Sequence, residues 1–114
     1  MVRMDLSHFD TSSVTNMGWM FSHNESLREV IISGWDTSKV TSMQCMFAIS
    51  PAFESVDFSE FETDSLITVY GMFDGSAVKN LDIANWDTSI LQDYEFFMNW
   101  DSTINGRPWT EFFQ

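Results

Sequence analysis

The chain has 114 residues, 44% of them hydrophobic, with seventeen acids against five bases and a formal net charge of −12. A protein so charged is repelled by nucleic acid and by anionic membranes, and no stretch approaches the roughly 18 to 20 apolar residues of a membrane span. One cysteine, Cys45, excludes an internal disulfide and fits a reducing compartment.

The first predicted element is a strand of about four residues. Met4, Val30, Val56 and Leu81 form one apolar column, and Leu6, Ile32, Phe58 and Ile83 form another two residues on. Between them lie Asp5, Ile31, Asp57 and Asp82. Alternation with a period of two marks a strand with one buried face, here used four times.

A turn is expected next, at Phe9-Asp10-Thr11-Ser12, Trp35-Asp36-Thr37-Ser38, Phe61-Glu62-Thr63-Asp64 and Trp86-Asp87-Thr88-Ser89, spaced by 26, 26 and 25 residues. Asp followed by Thr and Ser accepts hydrogen bonds from backbone N–H groups two or three residues on. The acid column therefore reads as turn and helix caps rather than a contact surface. The aromatic column Phe9, Trp35, Phe61, Trp86 reads as core stacking.

A short helix is predicted after each turn. Val14, Met17 and Phe21 recur as Val40, Met43 and Phe47, then Leu66, Val69 and Phe73, then Leu91, Tyr94 and Met98. Spacings of three and four put them on one helical face, which Met20, Met46, Met72 and Phe97 fill in. Trp19 falls outside these columns, with Gln44 and Gly71 as its counterparts. It reads equally as an interface anchor and as a ring packed under a loop.

A period between roughly 20 and 50 residues is the signature of a stacked array. The expected fold is an α/β, leucine-rich-repeat-like right-handed solenoid of about four 25–26-residue rungs, each a short strand, turn and short helix. Its strands would lie about 4.8 Å apart in a narrow parallel sheet. The repeats fall at about 2–27, 28–53, 54–78 and 79–98, and 99–114 forms a C-terminal capping segment of the same domain. There Trp100, Trp109, Phe112 and Phe113 would cover the last rung, or form an apolar patch if turned outward.

The runs MDLSHFDTSSVTNMGWMFSHNESL and ISGWDTSKVTSMQCMF resemble the BspA-like surface repeats of bacterial proteins, whose unit runs approximately LDLSxFDTSxVTNMxxMFxxCxSL. The resemblance spans residues 2 to 98. Repeat three departs from it at Glu62-Thr63-Asp64 and Leu66-Ile67-Thr68-Val69, and repeat four at Ile90 to Phe97. It implies a leucine-rich-repeat-like scaffold, usually part of a long secreted or wall-attached adhesion protein, that binds other macromolecules. Against the secreted setting, no charged-then-apolar leader precedes the first repeat. The first strand also begins almost at Met1, so the chain reads as an excised piece or as a small stand-alone protein. An uncapped solenoid end offers a surface for a homodimer.

Charge divides the chain. Residues 1–53 carry five acids against three bases, net −2, and residues 54–114 carry twelve against two, net −10. Carboxylates stacked one rung apart repel by about 1 kcal/mol per pair in water, which a cationic partner would relieve. The expected protein-binding residues are Asp57, Glu60, Asp64, Asp82, Asp93, Glu95 and Trp19. Of these, Glu60, Asp64, Asp93 and Glu95 have no evident capping duty, whereas Asp57 and Asp82, with Asp5, read equally as solubilising polarity.

No catalytic, cofactor-binding or metal-binding residue is expected. His8 and His23 lack a partner pair at ligand spacing, and neither a nucleophile elbow nor a phosphate-binding glycine loop occurs. The expected function is therefore non-enzymatic protein binding, with no cofactor, direct nucleic-acid contact or membrane. The favoured version is a small acidic cytoplasmic inhibitor that mimics nucleic acid and blocks a basic surface of a target enzyme, such as a phage-encoded anti-CRISPR protein. The alternative is a fragment of a bacterial cell-surface adhesin.

Overall fold

The computed structural model describes residues 2–83 and 85–113. The predicted strand holds best at the start. β1, Val2–Asp5, pairs in parallel with β2, Leu27–Ile31, placing Met4 beside Val30 and Asp5 beside Ile31. In repeat three the strand shrinks to one bridge, Ser55 to Glu29, and in repeat four to β3, Asn80–Leu81. β3 pairs in parallel with β4, Thr103–Ile104, which turns back antiparallel into β5, Arg107–Pro108.

The predicted helices are absent, and this overturns the α/β leucine-rich-repeat-like solenoid. Most of the described chain is turn and coil, and among the described residues there are five short strands in two small sheets. Among the described residues the single helix is α1, Trp109–Phe112, near the C-terminus. The radius of gyration, 13.0 Å, is that of a compact chain of this length, about 13 Å, with extents of 34 × 30 × 20 Å.

Backbone bonding explains the missing helices. Along 43–49, Met43, Cys45, Phe47 and Ile49 donate their amides to the carbonyls of Thr68, Tyr70, Met72 and Asp74 in the next repeat, at 2.8–3.0 Å. Met46 and Ala48 donate back to Met43 and Cys45. Every second amide thus leaves the segment, where a helix would direct it to the carbonyl four residues back. Trp19, Cys45, Gly71 and Phe96 share φ values of 54–63°, and His23, Ile49 and Gly75 values of 52–80°. A left-handed residue every fourth position ends any right-handed helix, at about 1–2 kcal/mol for each non-glycine. At Gly75 a Cβ would also meet the Ile49 backbone at 3.3 Å. These columns correct the counterpart of Trp19 in the second repeat from Gln44 to Cys45.

Successive repeats nevertheless lie side by side in register. Asn16, Ser42, Thr68 and Asp93 form consecutive parallel bridges. The Thr of each turn is the joint. The Thr37 hydroxyl donates to the Glu62 carbonyl at 3.1 Å and accepts the Glu62 amide at 2.9 Å. Thr11 does the same to Asp36, and Thr63 to Asp87. Inside runs a column of phenylalanines, with Phe21, Phe47 and Phe73 stacked at 5.3 Å spacing and Phe97 edge-on to Phe73 at 5.4 Å. Val30, Ile32, Trp35, Phe58, Phe61, Leu81, Ile83 and Trp86 complete the core, as the apolar columns predicted.

The first repeat has no neighbour on its outer side among the described residues, so Met4, Phe9 and Met20 are exposed where their equivalents in later repeats are covered. At the other end β4 and β5 cover the strand side, while Trp109 and Phe113 lie over Phe97. Trp109 is buried and Phe112 and Phe113 pack against the core, but Trp100 is 84% exposed. Gln114, the last residue of that segment, lies outside the described residues.

Candidate functional site

The acids of the turns are first of all structural. Asp36 accepts both the amide and the hydroxyl of Ser38, and Asp10 accepts those of Ser12. These bonds hold both carboxyls below the usual value, hydroxyl first and amide second, while the Asp10 charge pushes Asp36 back up. Asp87, bonded to Ser89, is lowered in the same way, amide first. A carboxyl lowered by folding stabilises the chain fully above its unfolded pKa and loses that contribution as pH falls through the folded one. The melting temperature should therefore be flat from about pH 7 to 5 and fall below about pH 4. Asp36→Ala should lower it at neutral pH and scarcely change it near about pH 2.5, read by thermal scans; equal losses at both would separate the turn from its charge.

The predicted contact residues do not form one surface. Asp57 accepts the Ser59 amide at 2.9 Å, and that bond and the Ser59 hydroxyl hold its carboxyl low. Glu60 is tied to the Gly34 amide at 2.9 Å. Asp57 and Glu60 border a cleft of about 310 Å³ between repeats two and three, which Arg3 and Glu29 also line. Asp57 and Asp82 border a second, of about 250 Å³, between repeats three and four, with Asp82 accepting from Asn80. Both clefts lie where the strand ladder lapses beyond Ser55. Asp64 is exposed on its turn, apart from these. Trp19 is half exposed in the first repeat and stacks on His23.

Neighbouring charges are partly compensated. Arg3 pairs with Glu29, Arg28 with Glu54, and Arg107 with Glu111. Burial, reinforced by the Asp74 charge, pushes the Cys45 thiol up and keeps it protonated at neutral pH.

Asp93 and Glu95 lead to a different place. Asp93 accepts the Glu95 amide, and the Glu95 carbonyl takes the Gly71 amide, which fixes Tyr94 to Phe96 as the outer edge of repeat four. Beyond that edge opens a groove of about 500 Å³ lined by Tyr94, Phe96, Met98, Trp100 and Trp109, with Asp74 and Glu95 at its margin. Phe96 is 58% exposed and stands edge-on to Tyr70; Trp100 stands edge-on to the buried Trp109. Exposed aromatics such as Phe96 and Trp100 at one groove are groups that water solvates poorly and that partners use. Of the predicted residues only Glu95 lines this groove. Its sequence signal was the last repeat's 25-residue spacing, with Phe96 outside every apolar column.

A family profile described as "Mycoplasma protein of unknown function, DUF285" matches residues 1–110. No curated protein and no solved structure matches the chain.

Proposed function

Because the chain belongs to this DUF285 family, we propose that it is a non-enzymatic protein-binding module of the BspA-like surface-repeat type, working at the bacterial cell surface. The observation that carries the reading is the aromatic groove, in which Trp100 and Phe96 stand open to solvent beside Glu95 and Asp74. Exposed aromatics next to charge are what protein interfaces use as anchors. The acids that the turns hold act as hydrogen-bond acceptors within their own repeats, and so contribute to the scaffold first.

The test is an immobilised chain challenged with purified extracellular-matrix proteins. Saturable binding to at least one is expected, falling at least about tenfold in the Phe96→Asp, Trp100→Ala double variant. No binding to any of them would contradict the surface-module reading.

A second reading keeps the acidic cytoplasmic inhibitor. The net charge of −10 beyond residue 53, with Asp64 and Glu95 exposed, favours it. A partner held that way should leave as salt rises, since exposed charges are screened beyond about 10 Å at 0.1 M. Retention of one nucleic-acid enzyme from a lysate, released by salt, would support this reading over the first.

A further inference from the structure

The edge of repeat four that borders the aromatic groove has a definite hydrogen-bonding polarity. The carbonyls of Asp93, Glu95 and Phe97 accept from Val69, Gly71 and Phe73 of repeat three. In a trans peptide unit the N–H points opposite to the C=O of the preceding residue. The amides of Tyr94, Phe96 and Met98 therefore point away from repeat three, and among the described residues they have no acceptor. They continue the column in which Met17, Trp19 and Phe21, then Met43, Cys45 and Phe47, donate to the next repeat at 2.8–3.0 Å. Trp109 adds to the groove wall a buried indole N–H that also lacks an acceptor among the described residues.

We propose that this groove takes an extended segment of a partner protein, carrying apolar residues flanked by Lys or Arg, whose alternate carbonyls accept from Tyr94 and Phe96, the Met98 amide being buried with its residue. The inference rests on the groove being a protein-binding surface and names its partner's chemistry. Donors at alternate residues require acceptors at alternate residues, which an extended backbone supplies, as in strand addition to a sheet edge. The apolar lining of Phe96, Met98, Trp100 and Trp109 takes the side chains on one face of that segment. Asp74 and Glu95 line the groove without a base, so the flanking residues must be cationic, with stems that lie along the exposed Trp100. A second copy cannot present its own carbonyl edge here. β4, β5 and α1 already occupy the strand and core sides beyond repeat four, where the rest of that copy's first repeat would have to lie.

The probe is an acetylated, amidated hexapeptide alternating lysine and leucine, with its glutamate counterpart as control. The lysine peptide should bind with saturation below about 1 mM, weakened roughly tenfold by Trp100→Ala. Binding should slow hydrogen exchange at Tyr94 and Phe96 by at least about tenfold, leaving Met43, Cys45 and Phe47 unchanged. No saturable binding up to about 1 mM, binding without protection of those two amides, or equal binding of the glutamate peptide would each overturn the inference. Failure of the peptide with Trp100-dependent matrix binding intact removes this inference alone; failure of both removes the module reading as well.

Discussion

Phe47→Ala should cost about 3–5 kcal/mol and lower the melting temperature by roughly 12–20 °C. Phe47 is fully buried at the centre of the molecule, 5.3 Å from both Phe21 and Phe73 and 4.3 Å from Phe53. Neither neighbouring repeat can close over the space, because the amides of Cys45, Phe47 and Ile49 pin the backbone to repeat three. A domain of this size holds about 5–15 kcal/mol in all, so the variant should lose a large share of its stability. Phe96→Ala, in the same stretch of its own repeat but 58% exposed, should cost less than about 1 kcal/mol. Similar losses for the two in urea titrations would mean that the phenylalanine column is not the core.

Thr37→Val tests the joint between repeats. The change keeps the volume and removes the hydroxyl that serves both the amide and the carbonyl of Glu62. Leaving a buried donor or acceptor unpaired costs about 1–3 kcal/mol, and Glu62 is near enough to water to recover part of it, so about 2 kcal/mol is expected. Thr37→Ser should restore most of that. Thr88→Val is the control: Thr88 is half-buried and has no following repeat of the same kind to hold. Its cost should stay near about 0.5 kcal/mol. Equal costs at Thr37 and Thr88 in denaturant unfolding would show that the threonines act within their own turns.

These residues also show how far the fold was legible in the sequence. The period, the apolar columns and the Asp-Thr-Ser turns were readable, because burial and local hydrogen bonding leave marks at fixed spacings. Val30, Ile32, Trp35, Phe61 and Trp86 are buried as their columns predicted. The helices were misread for a physical reason. Val40, Met43 and Phe47 point inward at spacings of three and four, which fits a helix, yet the same spacing arises when left-handed residues bend an extended segment at Cys45 and Ile49. Apolar spacing records which side chains are buried, not where the backbone amides go. The left-handed positions carry Trp, Cys, Ile, His and Phe as well as Gly, so composition gave no warning of them.

The candidate site was legible only in part. Glu95 was identified by its charge and lack of a capping duty, and it does line the groove. Asp57, Glu60, Asp82 and Asp93 are tied instead to the Ser59, Gly34, Asn80 and Glu95 groups beside them. Three of these ties reach only two residues along the chain, turn bonds that the missing Asp-Thr-Ser pattern disguised, and only that of Glu60 to Gly34, 26 residues apart, depends on three-dimensional packing. Trp100 was grouped with the cap because aromatics near a chain end usually cover a core, but its exposure is fixed by the cap folding past it through β4, β5 and α1.

The most direct measurement is NMR scalar coupling across hydrogen bonds, from amide nitrogen to carbonyl carbon. Couplings are expected from Cys45 to Tyr70, Phe47 to Met72 and Gly71 to Glu95, each linking one repeat to the next. Couplings from Phe47 to Met43 and from Gly71 to Ile67, four residues back in the same repeat, would show helices and contradict the account.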